Sequence, residues 1–365
     1  MNKRELFAAA FRGEKTEAFC HMEHGFWDES YDRYLSEGMP ERVKKPELFL
    51  PCEEDMFGYF NILKCGYIRP DIYFVPGLPE IVLEETDSYR IVKNKNGVTL
   101  RSSKNSLPQE IDFEIKDMDS YKKYRENLIE PNIDLRYGSE MNGIIDGYAK
   151  QKDYAAVCTH MDGFFAYPRE IMGVENTLIQ FYDDPDFMHM LLNDRADFYI
   201  KLYEPILKTI KLDFAFIWED MCFKNGPLVS PAIFEEFMLP CYKKVISFLH
   251  DFGVKNIIVD SDGDIMKLMP LWISAGVTGL LPFEVQSGMD VVKIGEIFPE
   301  MVLIGGVNKL KMFESKEDID EELNRVLPAM AKRGRYIPTL DHWVPPEISL
   351  ENFNYYNEKV NNWKI

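Results

Sequence analysis

Short apolar runs that end in polar residues recur along much of the chain. The clearest spans residues 257–264, Ile-Ile-Val-Asp-Ser-Asp-Gly-Asp, and the helix-like segment from Ile265 follows it. A β-branched apolar run of this length is typical of a buried parallel strand. Carboxylates are costly inside a core, so we expect those that end the run to face water, a ligand or a metal.

The same pattern predicts a parallel sheet. Six apolar runs alternate with helix-length patterns, and two earlier runs, residues 18–22 and 71–75, raise the strand candidates to eight. Polar residues at the carboxyl ends of the runs predict an α/β fold, a (β/α)8 TIM barrel with its site on that face. A doubly wound open sheet is the alternative, but the sequence lacks the Gly-rich loop that this fold favours. The six runs are residues 154–158, 214–217, 256–259, 277–281, 301–304 and 336–339, and the helical patterns are 175–210, 232–250, 263–274, 289–297, 316–333 and 348–361.

The first third of the chain departs from this alternation. Residues 2–11 predict a short helix, and residues 28–65 predict helices and loops. Strand formers on both sides of the Asn-Lys-Asn-Gly turn at residues 94–97 indicate a hairpin. We therefore predict one TIM-barrel domain over residues 1–365, with an N-terminal extension and a β-hairpin insertion at the barrel rim, residues 76–110. Further helices are expected near residues 117–126 and 138–151.

Composition narrows the class of protein. The 365 residues are 46% hydrophobic and 28% charged, which suits a large core, and the formal net charge is −19. Such a charge disfavours nucleic acids and anionic membrane surfaces as partners. The start of the chain lacks the apolar core of a signal peptide, and no apolar run has the length of a membrane span. Six scattered cysteines without a Cys-x-x-Cys pair predict a reduced, cytoplasmic protein without disulfides.

Carboxylates and one imidazole at different strand ends form the main candidate site. A closed barrel would bring these groups together, and their oxygen and nitrogen donors suit zinc, iron or manganese. We predict zinc as the cofactor. The predicted metal ligands are Asp260, Asp262, Glu284 and His342, and the predicted catalytic residues are Glu219, Asp260, Asp262 and His342.

A structural role is the alternative for these acids. Carboxylates at strand ends often cap the helix that follows, and Asp262 or Asp264 could do so before residues 265–274. We assign Asp264 to that helix start and keep Asp260 and Asp262 as ligands.

Other strand ends supply candidates for binding a substrate. His24 and Trp27 follow the first run, and His160 follows the run at residues 154–158. The paired glycines before Asn308 would let a ligand approach the backbone closely. The alternatives are a core strand with a solvated polar end for the first group and a hydrogen-bonded rim histidine for His160.

Four segments of the sequence resemble the uroporphyrinogen decarboxylase superfamily: residues 258–264, 282–284, 305–309 and 341–353. The resemblance covers roughly the last two thirds of the chain and implies a (β/α)8 barrel. The superfamily contains decarboxylases of the haem pathway and methyltransferases that work with corrinoid proteins.

The sequence departs from two branches of that superfamily. The decarboxylases carry an Arg-rich stretch at the first strand end, whereas residues 21–27 here contain no arginine. The thiol-methylating relatives bind zinc through a His-x-Cys pair and a later cysteine. Asp260 and Asp262 fall where the pair would be, and Asp341 and His342 fall near the later cysteine. The implied site would be a harder Lewis acid with oxygen and nitrogen ligands.

The resemblance therefore implies a metal-assisted methyltransferase. The enzyme would move a methyl group from a small donor, an aryl methyl ether or a methylamine, to the corrinoid of a partner protein. An aromatic rim would suit such a donor. A decarboxylase of a smaller acid and a non-catalytic barrel that binds a small ligand are the alternatives. The rim residues are Phe26, Trp27, Trp218, Phe283 and Trp343, of which Trp27, Trp218 and Phe283 join His24, His160 and Asn308 as predicted substrate-binding residues.

Overall fold

A computed structural model describes residues 1–46, 54–103, 106–150 and 156–365. Helices lie between most of the strands in the second half of the chain. A π-helical turn, Phe234–Met238, joins α9 to α10, and 3-10 turns cover Val285–Ser287 and Lys309–Phe313. The helices are α1 (Lys3–Arg12), α2 (Asp28–Ser36), α3 (Met56–Tyr59), α4 (Met118–Ile129), α5 (Ile133–Lys150), α6 (Ala166–Met172), α7 (Val174–Asp183), α8 (Pro185–Thr209), α9 (Pro231–Ile233), α10 (Leu239–Asp251), α11 (Met269–Ala275), α12 (Val291–Ile297), α13 (Lys316–Arg333) and α14 (Leu350–Asn361).

Seven strands form one parallel sheet in the order β1-β6-β7-β10-β11-β12-β13. The chain is an α/β protein, and the predicted parallel pairing of strands that alternate with helices is confirmed. The strands of this sheet are β1 (Cys65–Ile68), β6 (Ala156–Asp162), β7 (Phe214–Trp218), β10 (Ile257–Asp260), β11 (Gly279–Leu281), β12 (Val302–Ile304) and β13 (Tyr336–Ile337).

Alternation along the strands separates two apolar layers. Phe216 and Ile258 pair across β7 and β10 and belong to a small cluster inside the sheet. Ile217 and Val259 face the larger cluster between the sheet and the helices. Because side chains two residues apart share a face, Asp260 continues the inner row beyond Ile258. The inner row therefore carries a carboxylate at the strand end.

The two early strand predictions were wrong. The strand near residues 71–75 is instead β1, Cys65–Ile68, which ends before Pro70, a residue that cannot donate a ladder hydrogen bond. Residues 18–22 have no regular strand pairing. Two backbone hydrogen bonds hold this stretch: the Leu63 amide donates to the His21 carbonyl at 2.9 Å, and the Met22 amide donates to the Pro338 carbonyl at 3.3 Å.

A second sheet precedes the regular alternation. It is antiparallel, with the order β2-β3-β4-β5, and the turn at residues 94–97 joins β3 to β4 as the hairpin signal indicated. That this sheet is an insertion at a barrel rim stays a prediction. The strands are β2 (Ile81–Glu85), β3 (Tyr89–Lys93), β4 (Val98–Ser103) and β5 (Ser106–Phe113), and a short ribbon, β8 (Cys222–Phe223) with β9 (Gly226–Pro227), follows β7.

Helix boundaries follow local chemistry. The long pattern at residues 175–210 is two helices, because Asp184 caps α8 through the Phe187 amide at 3.0 Å and Pro185 begins it. The pattern at residues 263–274 yields only α11, after a stretch of turns. Residues 151–155, which include part of the predicted strand at 154–158, lie outside the described residues. Among the helices of the described residues, none combines the length and the apolar composition that a bilayer span requires.

Candidate active site

A cavity of about 420 Å³ lies at the carboxyl ends of β1, β6, β7 and β10. Two loops complete its wall, one at residues 22–28 and one at His342 and Trp343. The loops are tied together, since the Trp27 amide donates to the Val344 carbonyl and the Val344 amide donates to the Gly25 carbonyl. The polar and aromatic lining includes His24, Tyr67, Arg69, Tyr73, His160, Phe216, Trp218, Asp220, Asp260, Asp262, His342 and Trp343.

Two carboxylate–imidazole pairs lie side by side in this wall. The Asp260 Oδ2 atom is 3.2 Å from His24 Nε2, and the Asp262 Oδ2 atom is 3.4 Å from His342 Nε2. The two imidazole rings are 6.0 Å apart between centroids. The pairs arise because Asp260 and Asp262 leave the same strand end, while the loops that carry the histidines are tied to each other.

Local charge shifts the titration of both pairs. Burial disfavours the charged form of His24, but the nearby Asp260 and Asp262 carboxylates outweigh it, so the pKa of His24 is raised. Burial also opposes the charge of Asp262, yet His342, His24 and Lys309 more than offset this and lower its pKa. The His24 pair thus favours an imidazolium, and Asp262 favours a carboxylate.

Three of the four predicted metal ligands come together. One donor atom from each of Asp262, Glu284 and His342 lies within 4.8 Å of the others. Glu284 Oε2 is held by the Gly263 amide at 3.0 Å. Within the described residues, Asp262 Oδ1 is buried and has no hydrogen-bond partner. Two carboxylates and an imidazole fit zinc or a similar divalent ion. The fourth predicted ligand, Asp260, is directed to His24 instead.

Glu219 lies behind the cavity wall. Its carboxylate is fully buried and accepts hydrogen bonds from the Phe164 amide at 2.8 Å, from the Phe165 and Ala166 amides at 3.0 Å, and from the Tyr242 hydroxyl. Burial raises the pKa of Glu219 despite these donors. The structure therefore places this predicted catalytic residue in the anchoring of the loop after β6, away from the cavity.

The Glu219 carboxylate packs so closely against Gly163 that residue 163 has no room for a side chain. A first side-chain carbon at residue 163 would lie 2.1 Å from the Glu219 carboxyl carbon. Two other buried carboxylates join strand ends in the same manner. Asp341 accepts hydrogen bonds from the Lys309 and Val285 amides at 2.9 Å, and Glu23 accepts from Thr339 and the Leu340 amide. These three acids position the loops that carry the cavity residues.

Asp220 is a cavity residue that was not predicted from the sequence. It takes a left-handed backbone conformation, with a φ of 43°, and its carboxylate is 3.2 Å from Arg169 Nη1. The Arg169 guanidinium carbon lies 4.7 Å from the centre of the Trp218 ring. Alternation after β7 was the available signal, since it places Trp218 and Asp220 on one side and Glu219 on the other.

Tyr67, Arg69 and Tyr73 also line the cavity. Tyr67 and Arg69 were missed because β1 was not predicted. Tyr73 lies in the run at residues 71–75, which was predicted as a strand and not as part of the site. Beside them, His160 lies 5.5 Å from the Phe216 ring, and burial and the charge of Arg69 lower the pKa of His160 to about 3. The predicted substrate-binding His160 is thus a neutral side chain on the cavity floor.

The remaining predicted residues fall into two groups. Trp218 lines the cavity, and Trp27 lies at the surface beside it, 42% exposed and 5.4 Å from the Trp343 ring. Phe283 is buried, and Asn308 caps the turn after β12 through the Leu310 amide at 3.1 Å. Neither of these two is among the described residues that line the cavity.

The sequence from residue 103 to residue 363 matches the family profile described as uroporphyrinogen decarboxylase (URO-D). The chain belongs to this family. The match confirms the resemblance that the strand-end motifs indicated. Family membership also agrees with a site at the carboxyl ends of the parallel strands.

Two known proteins illustrate the likeness. A uroporphyrinogen decarboxylase from Syntrophotalea carbinolica is 27% identical over 129 residues, which cover 35% of this chain and 36% of that protein. The matched stretch is therefore little more than a third of that relative. The solved structure of a methyltransferase from Methanosarcina mazei aligns over 98% of this chain and 97% of its own, with a TM-score of 0.63 and 15% identity. At that identity the second likeness shows the fold alone.

Proposed function

We propose that this URO-D family protein is a metal-assisted methyltransferase that moves a methyl group from a small donor to the corrinoid of a partner protein. The observation that carries the proposal is the convergence of Asp262, Glu284 and His342, with Asp262 and His342 also lining the cavity. A donor in the cavity could place its methyl-bearing heteroatom beside these ligands. The solved structure of a methyltransferase from Methanosarcina mazei shares the fold over nearly its whole length, so methyl transfer is a reaction that this fold hosts.

The cavity residues would divide the work. Asp262, Glu284 and His342 would hold zinc, which as a Lewis acid would draw electron density from the leaving oxygen or nitrogen. For an ether donor, the carbon–oxygen bond would break and its electron pair would stay on oxygen, while the corrinoid of the partner protein would supply the nucleophile that accepts the methyl group. His24 would then supply the proton that the oxygen takes up, and Asp260, 3.2 Å away, would hold its ring in place.

The corrinoid protein is the proposed partner. It would dock over the cavity opening near Trp27, whose ring is exposed at the surface. Cys20, Cys65, Cys158, Cys222 and Cys241 are free thiols, which suits the proposed cytoplasmic location.

A methyl-transfer assay tests the proposal. The zinc-loaded protein, a reduced corrinoid protein and candidate methyl donors are mixed, and methylation of the corrinoid is followed by its absorbance. We expect transfer that requires both zinc and His342. Zinc binding without transfer to any corrinoid protein or to free cobalamin would overturn the proposal.

Two cations in the lining favour a second candidate, a decarboxylase of a smaller acid. Arg69 and Lys64 line the cavity, although the Lys64 ammonium already lies 3.4 Å from Asp55. The Syntrophotalea carbinolica relative is named for decarboxylation. Release of carbon dioxide by the metal-free protein, without methylation of a corrinoid, would favour this candidate. Ligand binding without either reaction would favour the non-catalytic barrel.

The proposed function assumes a complete (β/α)8 barrel. We propose that residues 20–22 take the eighth position, between β1 and β13. The hydrogen bonds from the Leu63 amide to His21 and from the Met22 amide to Pro338 support this arrangement. With the ring closed in this way, His24 would follow residues 20–22 into the same site as Asp260.

A further inference from the structure

The charge of the cavity points to the class of methyl donor. We propose that the donor is a small organic cation, a quaternary ammonium compound whose charged head lies among the carboxylates and aromatic rings of the cavity. This inference rests on the proposed function, because it names the substrate of the same site.

Carboxylates outnumber cations in the cavity wall. Lys64 and Arg69 are the lysine and arginine side chains among the described lining residues, and Lys64 is already paired with Asp55. The charge of Arg69 acts on the buried Asp162 carboxylate. Asp260 and Asp262 are paired with His24 and His342, and neither Lys64 nor Arg69 therefore balances two further acids of the lining, Glu170 and Asp220.

Asp220 and Glu170 show where negative charge is left over. Both carboxylates contact the same guanidinium, since Asp220 Oδ2 is 3.2 Å and Glu170 Oε1 is 3.3 Å from Arg169. One cation between two acids leaves about one negative charge on this wall. Burial raises the pKa of both carboxyl groups, which means that their charge is costly there. A cation bound in the cavity would offset that cost.

Aromatic side chains provide the other half of a cation site. Tyr67, Phe216 and Trp218 line the cavity, with the Tyr67 and Phe216 rings 5.5 Å apart. Aromatic faces attract quaternary ammonium groups, which have no hydrogen to donate and need no polar partner. His160 beside Phe216 stays neutral at physiological pH, because its pKa is lowered to about 3. The floor of the cavity therefore does not repel a cation through this imidazole.

The other donor classes fit the wall less well. A neutral aryl methyl ether would leave the charge of Asp220 and Glu170 uncompensated, and an anionic donor would be repelled by it. The cavity, at about 420 Å³, lies in the usual range for small-ligand sites. An ammonium compound of the size of choline is well below that volume.

The reaction balances without a proton. The carbon–nitrogen bond breaks, both electrons stay on nitrogen, and a neutral tertiary amine leaves. The corrinoid of the partner protein would supply the nucleophile that accepts the methyl group. His24 would then serve to set the local charge near Asp260, since this leaving group needs no acid. Zinc would act only on the electron pair that becomes free on nitrogen as the carbon–nitrogen bond breaks.

A matched pair of ligands tests the inference through binding alone. The full-length, zinc-loaded protein is titrated by calorimetry with choline and with its uncharged carbon analogue, in which a tert-butyl group replaces the trimethylammonium group. We expect choline to bind at least about tenfold more tightly. Methoxybenzoate serves as the anionic probe and should bind more weakly than choline.

Variants locate the effect. Asp220→Asn and, separately, Glu170→Gln should each weaken choline binding about fivefold and leave the carbon analogue unchanged. Trp218→Leu should weaken both ligands, and choline more. Asp197→Asn is the matched control, because Asp197 lies on α8 with a half-exposed side chain paired to Lys244. A circular dichroism spectrum and a melting curve for each variant separate lost binding from lost folding.

The outcomes separate this inference from the proposed function. Equal affinity for choline and its carbon analogue, or tighter binding of methoxybenzoate, overturns the inference. Methyl transfer from a neutral ether, with no choline binding, overturns it while the methyltransferase proposal stands. Selective choline binding with no transfer of methyl from any ammonium compound leaves the cation site standing and counts against the methyltransferase.

Discussion

The two aspartate–histidine pairs of the cavity have the same chemistry and different surroundings. The Asp260 and His24 side chains are 7% and 13% exposed, whereas those of Asp262 and His342 are 33% and 25% exposed. Asp260 is the last residue of β10, and Asp262 lies two residues beyond it in the loop. The loop position also brings Asp262 to Glu284. Asp260 and His24 therefore form an enclosed pair whose side chains contact each other. Asp262 and His342 are more exposed, and Glu284 adds a third possible ligand for a cation.

We expect the largest effect from the more exposed pair, Asp262 and His342, which we call the open pair. His342→Ala should lower the rate of methyl transfer about a hundredfold or more, because it removes a metal ligand whose Lewis acid contributes several kcal/mol. The rate is measured with the reduced corrinoid protein at saturating zinc. His189→Ala, on the exposed surface of α8, is the control and should retain the wild-type rate. An unchanged rate in His342→Ala would remove the open pair from the reaction.

Glu219 and Asp220, which follow β7, also differ in burial: Glu219 is fully buried, whereas Asp220 lines the cavity. Glu219→Gln should lower the free energy of unfolding by about 2–4 kcal/mol, because a buried amide nitrogen would face backbone donors that now reach a carboxylate. Urea denaturation measures the loss, with Glu235→Gln, at an exposed glutamate, as control. Asp220→Asn should cost much less, since its partner Arg169 lies nearer to solvent. Equal losses in the two variants would contradict the distinction between anchor and cavity residue.

We expect a smaller effect for the enclosed pair, Asp260 and His24, in the pH dependence of the free energy of unfolding. The pKa of His24 is raised in the folded protein, so its contribution to stability is present below the unfolded-state value near pH ~6.5 and is lost as pH rises through the folded value. The wild type should therefore lose stability, relative to His24→Gln, between acidic and alkaline buffers. If the difference in free energy of unfolding between the wild type and His24→Gln were the same at every pH, Asp260 would not stabilise the charged form of His24.

The smallest effect concerns the third acid of the same run. Asp264→Ala should cost about 0.5–1 kcal/mol of stability, because its carboxylate accepts a hydrogen bond from the Met266 amide at 3.0 Å. Zinc affinity should not change. Weakened zinc binding in this variant would mean that Asp264 belongs with Asp262 rather than with the turn that follows.

The sequence foretold the fold best where local pattern and tertiary role agree. The apolar runs after residue 213 became strands of one parallel sheet, because each run is buried on both faces. The predictions of the two early strands were wrong because the backbone there is held by only a few contacts. Residues 20–22 are held by isolated hydrogen bonds, and β1 has only four residues before Pro70. Patterns of that length do not distinguish a strand from a loop.

The candidate site was predictable as a collection of strand ends but not as a geometry. Asp262, Glu284 and His342 converge because parallel strands end at one edge of the sheet. A shift of one residue along the chain changes which side a side chain faces. Glu219 therefore faces away from the cavity, while its neighbour Asp220 faces it. His24 reaches Asp260 from a loop that is held by the backbone of Val344, more than 300 residues further along the chain. No local signal in the sequence encodes that contact.

We expect Asp262 and His342, together with Glu284, to bind a metal, and Asp260 and His24 not to bind one. The most direct measurement is zinc binding to the wild type, Asp262→Asn and Asp260→Asn, by titration of the metal-stripped proteins against a chromophoric chelator. We expect one zinc per chain in the wild type and in Asp260→Asn, and at least about a hundredfold weaker binding in Asp262→Asn. No zinc binding by the wild type, or equal losses in the two variants, would contradict this expectation.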